Sequence, residues 1–242
     1  MATHVEPAAT SRAAIWEDFI DIFYAPGAVF RRRENGSFFV PLVVVTIVCG
    51  VLFYLNSGAL QPVFDAEFDR QMSVAMRQNP NIPPEAVERI RGFGMRMQQI
   101  GMFVFIPLAI VGVGIATWLA GKLVDAKQTF RAAMVVAAYA YAPRILDMVL
   151  HGLQGLFLDP AQLDGRFRLS IGVGRFLDPD TVSPMLLAVV GRIDLITLWI
   201  TVLIAIGICV TGRIPMRKAA IAAAIVWLVG ALPLILGALR AM

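Results

Sequence analysis

Five runs of about twenty apolar residues alternate with charged stretches along this chain, at 39–58, 102–121, 129–153, 184–210 and 219–239. A helix rises ~1.5 Å per residue, so each run is long enough to cross a hydrocarbon layer of ~30 Å. The pattern predicts an all-α, polytopic helical membrane protein with five transmembrane helices. Residues 1–38 form a separate N-terminal segment and 39–242 the membrane domain. Within 13–33, Ile15, Trp16, Phe19, Ile22, Phe23 and Phe30 recur at three- and four-residue steps. Glu17, Asp18 and Asp21 are assigned to the opposite side. This predicts an N-terminal amphipathic helix, broken at Pro26-Gly27 and lying in the membrane interface; docking on a partner helix through the same face is the alternative.

The stretch 59–101 is too long for a featureless connector. Phe64, Phe68, Met72 and Met76 stripe its first half. Prolines interrupt it near residues 80–84, and Val87, Ile90, Phe93 and Met97 stripe the second half. A helical hairpin between spans one and two is expected, with its methionines as packing residues. The stretch 159–184 is expected to be loop. Its Gly172-Val-Gly174 follows no strand and has no phosphate-binding lysine beside it.

Composition agrees with a lipid-embedded chain: 58% of its 242 residues are hydrophobic and 16% charged, against about 25% charged in soluble domains. Mean hydropathy is +0.73. The net charge of +4 is explained by basic membrane flanks; no nucleic-acid-binding motif accompanies it, so no nucleic-acid partner is expected. Cys49 and Cys209 fall inside spans and read as small buried apolar residues. With only His4 and His151 besides, they make no metal site, and no cofactor is expected. Acidic residues precede the first apolar run, which argues against a cleaved leader.

The short connectors 122–127 and 211–218 are net positive, and Arg31-Arg32-Arg33 precedes span one. The longer loops balance their charges. The positive-inside rule then predicts a cytoplasmic N-terminus, an extracytoplasmic hairpin and an extracytoplasmic C-terminus.

Four ionisable residues interrupt apolar runs: Arg144 and Asp147 in span three, Arg192 and Asp194 in span four. Each costs ~2.5–3.5 kcal/mol at mid-membrane on insertion scales, so partners are expected. Arg144 and Asp147 can pair along one helix face. Consecutive antiparallel spans would bring all four to one depth, with Arg144–Asp194 or Asp147–Arg192 bridging spans three and four. An ion-pair clamp fixing helix register is preferred over a proton- or anion-handling relay, because no polar path extends into the other leaflet. Pro107, Pro143 and Pro233 should bend their spans. Stripes of small residues, Gly112, Gly114 and Ala116 in span two and Ala223, Gly230 and Gly237 in span five, permit close packing or self-association.

Several elements together resemble the Yip family of Ypt/Rab-interacting five-span membrane proteins, in its bacterial branch. They are the pre-span stretch of Ile22 to Pro26 followed by Phe30; Tyr139, Tyr141 and Pro143 in a Tyr-Ala-Tyr-Ala-Pro run; and Asp194 and Trp199 followed by Gly207. The resemblance spans nearly the whole chain. It implies five crossings after a cytoplasmic segment. Rab binding belongs to the eukaryotic relatives and is not carried over.

Nothing pairs a nucleophile with a base, so no enzyme is expected. The expected role is a membrane-organising or partner-binding scaffold in the inner (plasma) membrane, its partners being the bilayer and an unidentified protein. The alternative is a small transporter, channel or lipid-handling protein that uses the Arg/Asp cluster. A water-accessible cavity reaching that cluster would favour the alternative, and a tightly packed core the scaffold.

Overall fold

A computed structural model describes residues 14–240. His4 and the chain end at 241–242 lie outside the described residues. In order, the helices are α1 (Ile15–Tyr24), α2 (Pro26–Arg33), α3 (Phe39–Asn56), α4 (Gln61–Gln78), α5 (Pro84–Leu123) and α6 (Phe130–Ala140). They continue as α7 (Pro143–Phe157), α8 (Arg166–Leu169), α9 (Pro184–Val190), α10 (Leu195–Gly212), α11 (Met216–Val229) and α12 (Leu232–Arg240). No strand occurs among the described residues, apart from one isolated bridge between Gly172 and Asp194.

Five helical segments are long and apolar enough to cross a membrane: Phe39–Asn56, Pro84–Leu123, Phe130–Phe157, Leu195–Gly212 and Met216–Gly237. They form one bundle. Helix α5 packs along α6, α10 along α11, and α3 against α5 and α7. Alanine dominates the centre, where residues 132–138 of α6 are all buried. Small side chains let α6 be enclosed on every side, which suits helices that gain nothing from hydrophobic exclusion in lipid and pack by close approach instead. Gly207 of α10 is such a contact: a Cβ there would run into the methyls of Val136.

The helix boundaries differ from the hydropathy runs in four places, one of them a break of span five at Gly230-Ala231, just before Pro233 in the first turn of α12. Span two and the second half of the hairpin are a single helix. The 40 residues of α5 continue through Pro107 and measure about 60 Å, twice the ~30 Å apolar thickness. Span three breaks at Tyr141-Ala142, so that Pro143 opens α7, where its missing N–H leaves no bond unmade. The run 184–210 is likewise not one helix. Its first part is the short α9, and the chain then turns through Gly191–Asp194 before α10 begins at Leu195. Arg192 and Asp194 therefore lie at a helix junction rather than inside a spanning helix. Two ends of the bundle result: one carries α1, α2 and the connectors 124–129 and 213–215, the other carries α4 and the segment 158–194.

Candidate functional site

Polar chemistry concentrates in two places, one near each end. At the α1 end the centre is Asp18. Its side chain is fully buried and accepts hydrogen bonds from Arg32 Nε at 2.6 Å, Arg33 Nε at 2.6 Å and the Tyr139 hydroxyl at 3.0 Å. Arg32 also donates to Asp21 at 2.6 Å. Burial opposes the charge on Arg32, but the bonds to Asp21 and Asp18 outweigh it and raise its pKa above the ordinary guanidinium value. Assigning Asp18 to the polar side of the helix was incorrect. It follows Ile15 by three residues and precedes Ile22 by four, so helical geometry places it within the apolar stripe. Only Asp18, of α1's acids, therefore needs partners from other elements, and α2 and α6 supply them.

Aromatic contacts complete this junction. The Phe19 ring lies 5.6 Å from Tyr139, and Phe23 meets Trp199 edge-on at 5.2 Å. Ile22, Val29 and Phe30 are wholly buried among α6 and α10 residues. Pro26 starts α2 in its first turn, where the ring's fixed φ suits the helix. Of the residues singled out in the sequence, Pro26, Tyr139, Trp199 and Gly207 thus all serve the docking of α1–α2 on α6 and α10, or of those two helices on each other. Arg32 and Arg33, which bind Asp18, were missed. The signal was a run of three arginines set against a single adjacent acid, Glu34, downstream of a carboxylate in an apolar stripe.

Toward the opposite end, Arg144 Nη1 donates to Asp147 Oδ2 at 2.8 Å, one turn along α7. The other oxygen of Asp147 lies 3.3 Å from His151 Nε2. Neither Arg144–Asp194 nor Asp147–Arg192 forms an ion pair among the described residues. The physical reason is the break before α10. Asp194 is the N-cap of that helix, and one carboxylate oxygen accepts the backbone N–H of Ile196 at 3.0 Å and of Thr197 at 3.2 Å. Its second oxygen accepts from the Ser170 hydroxyl at 2.8 Å and the Ile171 N–H at 3.0 Å. Four donors and the positive end of the helix dipole stabilise this charge without any arginine. Asp194 thereby fastens the 159–183 segment to the bundle. The adjoining bridge requires Gly172, since a Cβ there would strike the Ile193 carbonyl.

Arg192 turns the other way. Its Nη2 donates to the Trp227 carbonyl at 3.0 Å, and its guanidinium stands 5.6 Å from the centre of the Trp227 ring. It has no carboxylate partner among the described residues, and neither its Nε nor Trp227 Nε1 is hydrogen-bonded there. Both Arg144 and Arg192 border a cavity of about 320 Å³ between α5, α10 and α11, walled by Gly112, Ala116, Val226 and Pro233 and overlooked by Tyr141. Chemically the arrangement can hold a negative group against two guanidiniums and an apolar group behind them.

The architecture defines a multi-pass helical membrane protein with internal polar junctions. The Yip1 domain family model matches residues 20–237, nearly the whole chain, and the protein belongs to the Yip family. No curated protein and no solved structure matches it.

Proposed function

We propose that this protein is a non-enzymatic, membrane-organising scaffold of the inner (plasma) membrane, with its N-terminus cytoplasmic and its C-terminus extracytoplasmic. In this reading the bundle holds α1–α2 as a fixed wedge in one leaflet. The observation that carries it is the buried Asp18 junction, which locks α1 with a second face turned outward. That face consists of Trp16, Ile20 and Tyr24, at four-residue steps and 65%, 51% and 84% exposed. A bilayer interface suits such a stripe, with Trp and Tyr at headgroup depth. Arg31, Lys122, Lys127, Arg131, Arg217 and Lys218 belong to the same end, which supports placing it against an anionic cytoplasmic leaflet. The interface remains open to a partner helix docking on the same stripe.

The test uses the full chain reconstituted in vesicles, with Trp118, Trp199 and Trp227 replaced by Phe so that Trp16 alone fluoresces. Lipids brominated near the headgroup should quench it more strongly than lipids brominated at the chain ends, and the protein should reduce vesicle diameter. Asp18→Ala should weaken both effects. Quenching of Trp16 by aqueous iodide instead of lipid bromine would overturn the wedge. A specific observation favours the transporter or lipid-handling reading as well: the cavity reaches Arg144 and Arg192.

A further inference from the structure

The cavity bordered by Arg144 and Arg192 is one of two adjoining chambers. The second, about 200 Å³, opens toward the 159–183 segment and is lined by Asp147, His151, Arg166, Ser170 and Asp194. Arg144, Arg192 and Thr197 belong to the walls of both. The inner chamber is apolar; Val229 is in its wall, and Val229, Leu228 and Leu108, the last beside the lining residue Ala109, are exposed on the outside of spanning segments. The outer one is polar. A molecule filling both would be polar at one end, apolar at the other, and bound at the waist by two arginines.

Charge fixes the sign of the polar end. Three arginines face two aspartates across the pair of chambers. Asp194 is fully engaged by backbone and hydroxyl donors, and Asp147 is shared between Arg144 and His151. Arg192 is left with a carbonyl and an aromatic face, its Nε unbonded. A half-buried guanidinium without an anion is costly to desolvate, and an anion supplied by a ligand offsets that cost. Size fits as well. An apolar cavity of about 150 Å³ already admits benzene, and ligand pockets begin near about 300 Å³. Gly112 leaves room in the inner chamber, where a Cβ would meet nothing within 4 Å.

We propose that the paired chambers bind an anionic phospholipid drawn from the surrounding bilayer, its phosphate between Arg144 and Arg192 and one acyl chain beside Trp227. This is separate from the α1 wedge, which lies at the other end of the bundle, so either can fail alone.

The experiment uses the full chain in phosphatidylcholine nanodiscs, with Trp16, Trp118 and Trp199 replaced by Phe so that only Trp227 emits. Chain-brominated phosphatidylglycerol is titrated in one arm and chain-brominated phosphatidylcholine in another. The anionic lipid should quench Trp227 at about tenfold lower mole fraction: both lipids carry the phosphate, but the choline cation of phosphatidylcholine offsets its charge beside the two guanidiniums. Arg192→Gln should erase most of that preference, whereas Arg192→Lys should retain it. Gly112→Leu, which has space to fold, should abolish quenching by filling the chamber. Inorganic phosphate at 10 mM, as competitor, should not restore emission. Equal quenching by both lipids, a preference unchanged in Arg192→Gln, or displacement by inorganic phosphate would each overturn the proposal, the last by showing a free-anion site.

Discussion

Asp18→Ala is the perturbation with the most informative energetics. The substitution removes the Asp18 acceptor from the Tyr139 hydroxyl, on a residue only 2% exposed. A buried donor left in that state costs about 1–3 kcal/mol. Arg32 and Arg33 have side chains 28% and 25% exposed and can turn toward water. Their loss is therefore nearer that of a partly solvated ion pair, about 0–1 kcal/mol each. The expected destabilisation is about 1–5 kcal/mol. Tyr139→Phe alone removes one bond but leaves Asp18 with both arginines, and should cost about 1 kcal/mol. In the Tyr139→Phe background no hydroxyl remains to be stranded, so Asp18→Ala should then cost about 1–2 kcal/mol less than in the parent. Reversible unfolding of the four proteins in mixed micelles of mild detergent and dodecyl sulfate measures the cycle. Strictly additive costs, or an Asp18→Ala loss below about 0.5 kcal/mol, would refute the reasoning that this carboxylate joins α1, α2 and α6.

Gly207→Val should destabilise the bundle by about 1–3 kcal/mol through collision with Val136. In the same unfolding assay, Val136→Ala should recover part of that loss. Asp194→Ala should cost about 1–2 kcal/mol for the lost helix cap, and hydrogen exchange should rise in 165–175 as Ser170 and Ile171 lose their acceptor. Asp164 provides a pH test. Hydrogen bonding from Arg168 holds its carboxyl below the ordinary value. A lowered native pKa means that this pair's contribution is complete above the unfolded value of about 3.9 and is lost as pH falls through the native one. Exchange protection in 159–170, taken relative to the intrinsic amide rate at each pH, should accordingly stay constant down to about pH 4 and fall only below it; a loss of protection between pH 7 and 5 would contradict the assignment.

The spanning segments were legible because hydropathy summed over twenty positions overwhelms local detail. Breaks within them were not, since Pro184–Val190 and Leu195–Gly212 are equally apolar and merge in any window. Finer signals were present. Ser183 before Pro184 and Asp194 before an apolar run are both helix-starting residues, and they mark two N-termini where hydropathy shows one segment. The proximity of Arg144 and Asp147 could be read because it depends on a single helix's own geometry. Pairing across helices depended on a continuous span four, and it failed with that assumption. Asp18 shows a different limit. Counting acids as polar hid its position in the buried stripe, although the intervals to Ile15 and Ile22 were in view.

The unbroken α5 has a mechanical consequence. From Gly101, beside the start of the apolar run, about 26 Å of helix extend to Pro84 and about 16 Å the other way to Gly112. A tilt of about 5° around that fulcrum displaces the outer tip by about 2 Å and the inner wall by more than about 1 Å in the opposite sense. Force applied to the Pro84 tip is thus delivered as a lever stroke to the chamber wall at Gly112.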